Sequence, residues 1–440
     1  MSTPLLSPSQ PDPLAGSTGD FVHRPGPDLF AKARAFAEWS DARVRYGGFP
    51  YGKRLTGAPT PRTALRFLDG SVREGINFSS QDYLGLASHP DVKHAAHAAI
   101  DQFGVHSAGS AALAGEMEIA GTLVQALAAH LRMPHVTLYP TGWAAGYGVI
   151  RGLVRETDHV VIDALSHNCL QEGAAAATRH VTSFCHLDVE HARQKLAAIR
   201  ATDASAGVLL VTESLFSMDA DTPRIREFQA IAREFDALFL LDVAHDYGCL
   251  GPDGTGHLGE QNALGEVDLV MGSFSKTFAS NGGFVASQRR ELHEYFRGFS
   301  SSNTFSNALG PVQLAVVRAA LGVVRSPEGQ LRREALLRAV RALRGGLVAH
   351  GVEVLGAASP IVPAYVGHAA VARRAAAICS ERGVLTNLVE FPAVSKSSAR
   401  FRMQVMASHV PDECVAAARL VAESIADAQA AHAASLSLAP

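Results

Sequence analysis

Between residues 90 and 290 the chain alternates apolar runs with amphipathic stretches. Six runs read as strands: "HVTLY" from 135, "DHVVIDA" from 158, "RHVTSF" from 179, "AGVLLVTES" from 206, "ALFLLDVAH" from 237 and "VDLVMGS" from 267. Several are apolar throughout rather than alternating, which is the pattern of strands covered by helices on both faces. Between two of them, "DTPRIREFQAIAREFD" sets Ile225, Phe228, Ile231, Ala232 and Phe235 on one helical face. A crossover helix between parallel strands needs such a stripe. The repeat of strand and helix predicts an α/β domain with a mostly parallel sheet.

After "RSPEGQ" the pattern changes. A long Arg/Leu/Ala helix is predicted from about 331 to 350, then short strands in "VEVLG", "PIVPAYV" and "FRMQVMA", and an Ala-rich helix from 411. This predicts a large domain over 61–325, a smaller C-terminal α+β domain over 326–440, and an N-terminal arm over 1–60. The first 28 residues are rich in Pro, Ser and Gly and are expected to be disordered. They lack the apolar core of a signal peptide.

Composition narrows the function classes. With 47% hydrophobic residues and a formal net charge of −3, nothing in the overall balance favours nucleic acid or an anionic membrane surface as a partner. No run approaches the ~20 apolar residues of a membrane-spanning helix. The cysteines, Cys169, Cys185, Cys249, Cys379 and Cys414, are scattered without a zinc-binding spacing. They predict reduced thiols in a cytoplasmic protein, with no metal site.

In open α/β sheets ligands gather beyond the carboxyl ends of the strands. Four such ends carry polar groups here. "VTLY" is followed by "PTGWAAGYG", a glycine turn entering a helix whose free N–H groups can hold a phosphate. "VVIDA" leads to "LSHNCL" with His167, "VLLVTES" to "LFSMDAD" with Ser217, and "LFLLDV" to "AHDYG", which gives Asp242 and His245. Taken singly, a glycine turn is an ordinary connection and a lone histidine an ordinary structural residue. Asp242 is less easily dismissed, because a carboxylate in an apolar strand demands a cationic partner. Lys276, in "GSFSKTFASNGG", poses the complementary problem: a partly desolvated amine, able to form a Schiff base with an aldehyde. Pyridoxal phosphate accounts for all of them, with an aldehyde for Lys276, a phosphate for the glycine turn and its hydroxyls, a ring nitrogen for Asp242 and a ring face for His167.

The order and spacing of these segments resemble the α-oxoamine synthase family of pyridoxal-phosphate enzymes. The resemblance runs over about residues 70 to 430, through "GINFSSQDYLGLASHPDV", "FGVHSAGSAALAG", "YPTGWAAG", "DALSHNCLQEG", "TESLFSMDAD", "LLDVAHDYGCLG", "GSFSKTFASNGGFV", "TFSNALGP" and "ARFRMQVMASHV". It implies the fold type I (aspartate-aminotransferase-like) architecture, with a seven-stranded, mostly parallel sheet. It also implies decarboxylative condensation of an α-amino acid with an acyl thioester, from coenzyme A or an acyl carrier protein, to an α-aminoketone, CO2 and free thiol. By the same resemblance Lys276 carries the cofactor and acts as general base, Asp242 keeps the ring nitrogen protonated, and His167 stacks on the ring. His245 and Ser217 match groups near the 3'-hydroxyl, and Gly142, Trp143, Ser273 and Ser275 the phosphate contacts. Ser306 is similar to a phosphate contact given across the interface of a homodimer, and Arg402 to the arginine that receives the amino acid's carboxylate.

The chain departs from the family pattern in places. Gln81 stands where an asparagine is common, Gly146 replaces a frequent asparagine, and Ala111, Ala112, Ala120 and the pair Leu123 and Val124 replace larger or polar residues. These changes predict a roomier, less polar substrate side, and Ser110, where glycine-specific members tend to have threonine, fits a substrate larger than glycine. Two competing readings are another fold type I enzyme, such as an aminotransferase, and a catalytically silent regulatory member. The "SHNCL", "FSMDAD" and "ARFRMQVMASH" segments disfavour the first; retention of Lys276, Asp242, His167 and Arg402 disfavours the second.

Overall fold

All six apolar runs become strands, and a seventh joins them. The computed structural model describes residues 14–22, 28–47 and 49–437. In it β1 (His135–Tyr139), β2 (His159–Asp163), β3 (Val181–Phe184), β4 (Val208–Glu213), β5 (Leu238–Asp242), β6 (Leu269–Ser273) and β7 (Gly283–Ser287) form one sheet, in the order β1-β7-β6-β5-β4-β2-β3. Pairing is parallel except at β7, which runs antiparallel to both β1 and β6. Sequence patterning missed β7 because "GFVAS" is short and opens on a glycine pair that reads as a loop. Once formed it is buried along its whole length, as are β4 and β6.

The helix Gly142–Leu153 seats Ala145, Val149 and Ile150 in one apolar cluster with Val211, Leu240, Met271 and Val285 of the sheet. Burying each large aliphatic side chain contributes roughly 1.5–3 kcal/mol. The helix Ile225–Glu234 buries Ile225, Phe228, Ile231 and Ala232, the stripe that its spacing predicts.

Contacts divide the chain into two units: residues 81–335, which hold this sheet, and residues 1–80 together with 336–440. Within the second unit the strands Arg62–Arg66 and Val72–Asn77 pair with each other, and Val384–Leu385 joins in parallel, with Val384 opposite Ile76. Residues 61–80, expected with the large domain, therefore group with the C-terminal segment. That pairing spans about 300 residues of chain, a range that local periodicity does not report. The same unit holds a three-stranded antiparallel sheet, Ile361–Gly367, Ala399–Gln404 and Asn387–Val389, with the helices Ala369–Glu381 and Pro411–Ser437. The expected strand in "VEVLG" is reduced to a single bridge, Val354 to Ala364.

Of the segment expected to be disordered, residues 1–13 and 23–27 lie outside the described residues, whereas 14–22 are packed. Trp39 Nε1 donates to Ala15 O (3.1 Å), and the Phe21 ring packs tilted against Trp39 (5.1 Å, 43°). Arg373 donates to Gly16 O (2.6 Å) and to Glu390 Oε2 (2.6 Å), while Arg43 donates to Glu390 Oε1 (3.2 Å). All three charged side chains are buried. This ion triad has partners far along the chain, which a local reading of "PLAGSTGDF" does not supply.

A second polar clamp fixes the carboxyl ends of β2 and β3. His186, just past β3, places Nδ1 2.9 Å from Asp163 Oδ1 at the end of β2 and Nε2 3.0 Å from Asp221 Oδ2 in the loop after β4. Burial lowers the imidazole's pKa, but the hydrogen bonds and charges of the two carboxylates outweigh it and raise the value to about 10. The stabilisation from the imidazolium is therefore complete below its unfolded pKa of about 6.5 and is lost as pH rises through about 10. His186→Gln is expected to cost on the order of 2 kcal/mol at pH 6 and much less at pH 10, read from urea midpoints at both values.

Candidate active site

Two buried acids end adjacent strands. Glu213 closes β4 and Asp242 closes β5, and the two are direct neighbours in the ladder. Both are almost fully buried. Burial raises the Asp242 carboxyl to about 6, against the pull of Lys276 and of the Ala244 N–H, which donates to Asp242 Oδ1 (2.8 Å). Glu213 is raised well above the ordinary carboxylate range by burial and by Asp242, while the His167 N–H and Lys276 oppose the shift. A third acid beyond β5, Asp246, is satisfied within the fold: Ser214 Oγ donates to its Oδ1 (2.6 Å) and the His257 N–H to its Oδ2 (2.7 Å).

Lys276 sits in the loop 274–282 that closes the antiparallel pair β6 and β7. The loop is anchored from beneath by buried rings: Phe274 packs on Phe278 (5.7 Å) and Phe284 (5.5 Å), and Phe278 on Tyr247 (5.3 Å). With that anchor and a backbone bond from Ala279 N to Lys276 O, the lysine is held half-buried. Its charge acts on Asp242 and Glu213 together.

The glycine turn after β1 starts the helix Gly142–Leu153, with Thr141 as its N-cap. A Cβ at position 142 would lie 2.3 Å from Cβ and Oγ of Ser273, so only glycine lets the helix start close onto the end of β6. Ser273 Oγ is 2.8 Å from Ser275 Oγ. Free helix N–H groups and two hydroxyls thus converge at one corner. Trp143 is exposed beside them and stacks on Tyr147 (5.1 Å, 11°).

His167 caps the helix Asn168–Ala177, accepting from the Cys169 N–H at Nδ1 (3.2 Å), and its own N–H donates to Glu213. Its ring is exposed. His245, just past β5, is buried with Nδ1 2.9 Å from the Tyr83 hydroxyl. Ser217 is half-buried in the loop after β4. Ser110 forms an isolated backbone bridge with Asn307, next to half-buried Ser306. Gln81 has a buried Oε1 with no hydrogen-bond partner among the described residues. In the other unit Arg402 lies in mid-strand, between Pro363 and Asn387 of the flanking strands.

Of the sequence-predicted residues, the structure thus brings Lys276, Asp242 and His167 into one constellation, and Gly142, Ser273 and Ser275 into another at the neighbouring strand ends. Glu213, Tyr83 and Cys169 were not singled out from sequence. The signal for Glu213 was present in "VLLVTES", an acid ending an apolar run as in "LFLLD", whereas Tyr83 and Cys169 become visible only through their contacts with His245 and His167.

Three of the residues expected to make the substrate side roomier cluster. Ala111, Ala120 and Val124 line a cavity of about 190 Å³, with Glu116, Asn303 and Arg297 among its polar walls. The edge strand β1 faces it, and Asn303 Nδ2 donates to Leu138 O of that strand (2.7 Å).

The donor set fits pyridoxal phosphate. A helix start with two hydroxyls suits a phosphate, the paired buried acids suit a protonated ring nitrogen, and the loop lysine suits an aldehyde. Comparison with known proteins agrees. The class I and II aminotransferase family matches residues 73–421. The 8-amino-7-oxononanoate synthase of Geobacter metallireducens is 32% identical over 89% of this chain and 97% of its own; that of Klebsiella pneumoniae is 34% identical over 81% and 90%. The structure superposes with a TM-score of 0.84 on serine palmitoyltransferase of Sphingomonas wittichii, at 26% identity over 92% of this chain and 99% of that one. It reaches the same score with serine palmitoyltransferase from S. paucimobilis, solved with pyridoxal phosphate and myriocin bound, at 25% identity over 92% and 100%. The chain belongs to the pyridoxal-phosphate-dependent α-oxoamine synthases, acyltransferases built on the class I and II aminotransferase fold.

Proposed function

We propose that the chain condenses an α-amino acid larger than glycine with an acyl thioester, giving an α-aminoketone, CO2 and free thiol. The observation that carries this reading is the buried pair Glu213 and Asp242 beside Lys276, with the helix start and serines at the next strand ends. Bound pyridoxal phosphate supplies an electron sink for the carbanion that forms at the amino acid's Cα.

The side chains then divide the work. Lys276 would hold the cofactor's aldehyde and, as a free amine, would take the Cα proton at Nζ. Asp242 would keep the ring nitrogen protonated, and Glu213 would add negative potential from the next strand. The N–H groups of Gly142 and Trp143, with Ser273 and Ser275, take the phosphate. His167 covers the ring, while His245, steadied by Tyr83, and Ser217 serve the 3'-hydroxyl. Arg402 receives the amino acid's carboxylate as a bidentate donor. Gln81, with its buried carbonyl oxygen, and Ser110 face the substrates. Ser306 completes the phosphate site of a partner subunit in a homodimer. The five cysteines are all unpaired, which fits the reducing cytoplasm. Among the described residues, no helix is long and apolar enough to cross a membrane.

A substrate larger than glycine is supported by the alanines and valine around the cavity beside β1 and by the small side chain of Ser110. Steady-state assays of an amino-acid panel, with acyl groups offered on coenzyme A and on acyl carrier protein, are expected to favour a side-chain-bearing amino acid. Glycine with a short acyl-CoA as by far the best pair would contradict this.

Two variants test the assigned roles. Lys276→Ala is expected to lower the coupled release of thiol and CO2 by about 10³-fold or more, having lost both the cofactor attachment and the base. Asp242→Asn is expected to lower kcat at least about 100-fold in the loaded enzyme, yet to help the cofactor-stripped protein at neutral pH. The folded carboxyl titrates near 6 and the unfolded one near about 4, so the stripped wild type loses stability as pH rises through this window. Asparagine does not titrate. The melting temperature of stripped Asp242→Asn relative to stripped wild type is therefore expected to be higher at pH 8 than at pH 5.

A further inference from the structure

Cys169 is buried directly behind His167, and its sulfur lies 3.0 Å from His167 Nδ1. The same ring nitrogen accepts the backbone N–H of Cys169 at 3.2 Å. A backbone amide can only donate, so Nδ1 carries a lone pair rather than a proton. The thiol must then donate as well. It is equipped to do so: burial, and after it the charges of Asp242 and Glu213, push the thiol's pKa up against the pull of Lys276, which keeps the sulfur protonated.

Space for that sulfur comes from a glycine on the neighbouring helix. Gly146, on the helix Gly142–Leu153, faces Cys169, and a Cβ there would stand 2.4 Å from Sγ. Even alanine at 146 would force the sulfur away, since the helix backbone cannot yield as a flexible side chain does. Thiol and glycine therefore fit one another.

We propose that Cys169 and Gly146 form a positioning pair that fixes the His167 ring at Nδ1 and holds it as its Nε2–H tautomer. Cys169 reaches the substrate only through His167 and is a positioning residue. The proposal rests on the active-site reading for the role of His167, but the tautomer itself belongs to the protein with or without cofactor.

The test uses protein labelled with ¹⁵N-histidine, in the loaded enzyme and after cofactor removal, with the His167 resonances assigned by loss in His167→Asn. Wild type is expected to show a non-protonated Nδ1 and a protonated Nε2. Cys169→Ser, which keeps a donor at this place, is expected to retain both signals and near-wild-type kcat. Cys169→Ala and Gly146→Ala are each expected to broaden or shift the Nδ1 signal and to lower kcat about three- to tenfold, as loss of one weak hydrogen bond would. The Gly146→Ala/Cys169→Ala double variant, in which the clash is gone, is expected to be less impaired than the two losses multiplied. A protonated Nδ1 in the wild type would overturn the proposal. So would a Cys169→Ala variant with unchanged His167 signals. If His167→Asn left catalysis intact while the tautomer was as stated, the active-site reading of His167 would fail and the pairing would stand.

Discussion

Two carboxylates buried side by side on neighbouring parallel strands are the constraint on which the site depends. Strands lie about 4.8 Å apart. At that separation two like charges repel by ~3 kcal/mol at an effective dielectric of 20, before the desolvation of either is counted. Glu213 and Asp242 occupy such positions, and both are driven toward the neutral form. Cations relieve the strain. Lys276 supplies one from the adjacent loop, and a protonated ring nitrogen of pyridoxal phosphate would supply another.

The sheet order explains why these groups meet. β6, β5 and β4 lie side by side, so the residues that follow them emerge at one edge, and β7 returns antiparallel to close the loop that carries Lys276. Buried phenylalanines fix that loop without using its polar groups. Close contact between Gly142 and Ser273 brings the helix start to the same edge. The His186 clamp holds the loop that contains Ser217 to the ends of β2 and β3. Rigid strands thus carry the acids and Ser273, while Lys276, Ser275 and His167 sit on short, tied loops, an arrangement that favours preorganisation.

Much of this was legible in the sequence because the signals were local. Apolar runs gave six of the seven strands, and an acid or a lysine at the end of such a run marked a group whose burial needed a partner. β7 is missed by patterning because its five residues begin within a glycine pair and leave only four to carry a pattern. Residues 61–80 group with the C-terminal segment because their partner strand, Val384–Leu385, is remote in the chain, a range that local patterning does not reach. The packing of residues 14–22 escaped for the same reason, since the Arg43, Glu390 and Arg373 triad joins three distant segments. Glu213 could have been found by applying to "VLLVTES" the rule that found Asp242. Cys169 could not, because the fit between its sulfur and Gly146 exists only in three dimensions.

The most direct measurement is the protonation state of the cofactor's ring nitrogen, read by ¹⁵N NMR in enzyme loaded with ring-labelled pyridoxal phosphate at pH 8. Paired buried acids predict a protonated nitrogen in the wild type that loses its proton in Asp242→Ala. An unprotonated ring nitrogen in the wild type would contradict the account.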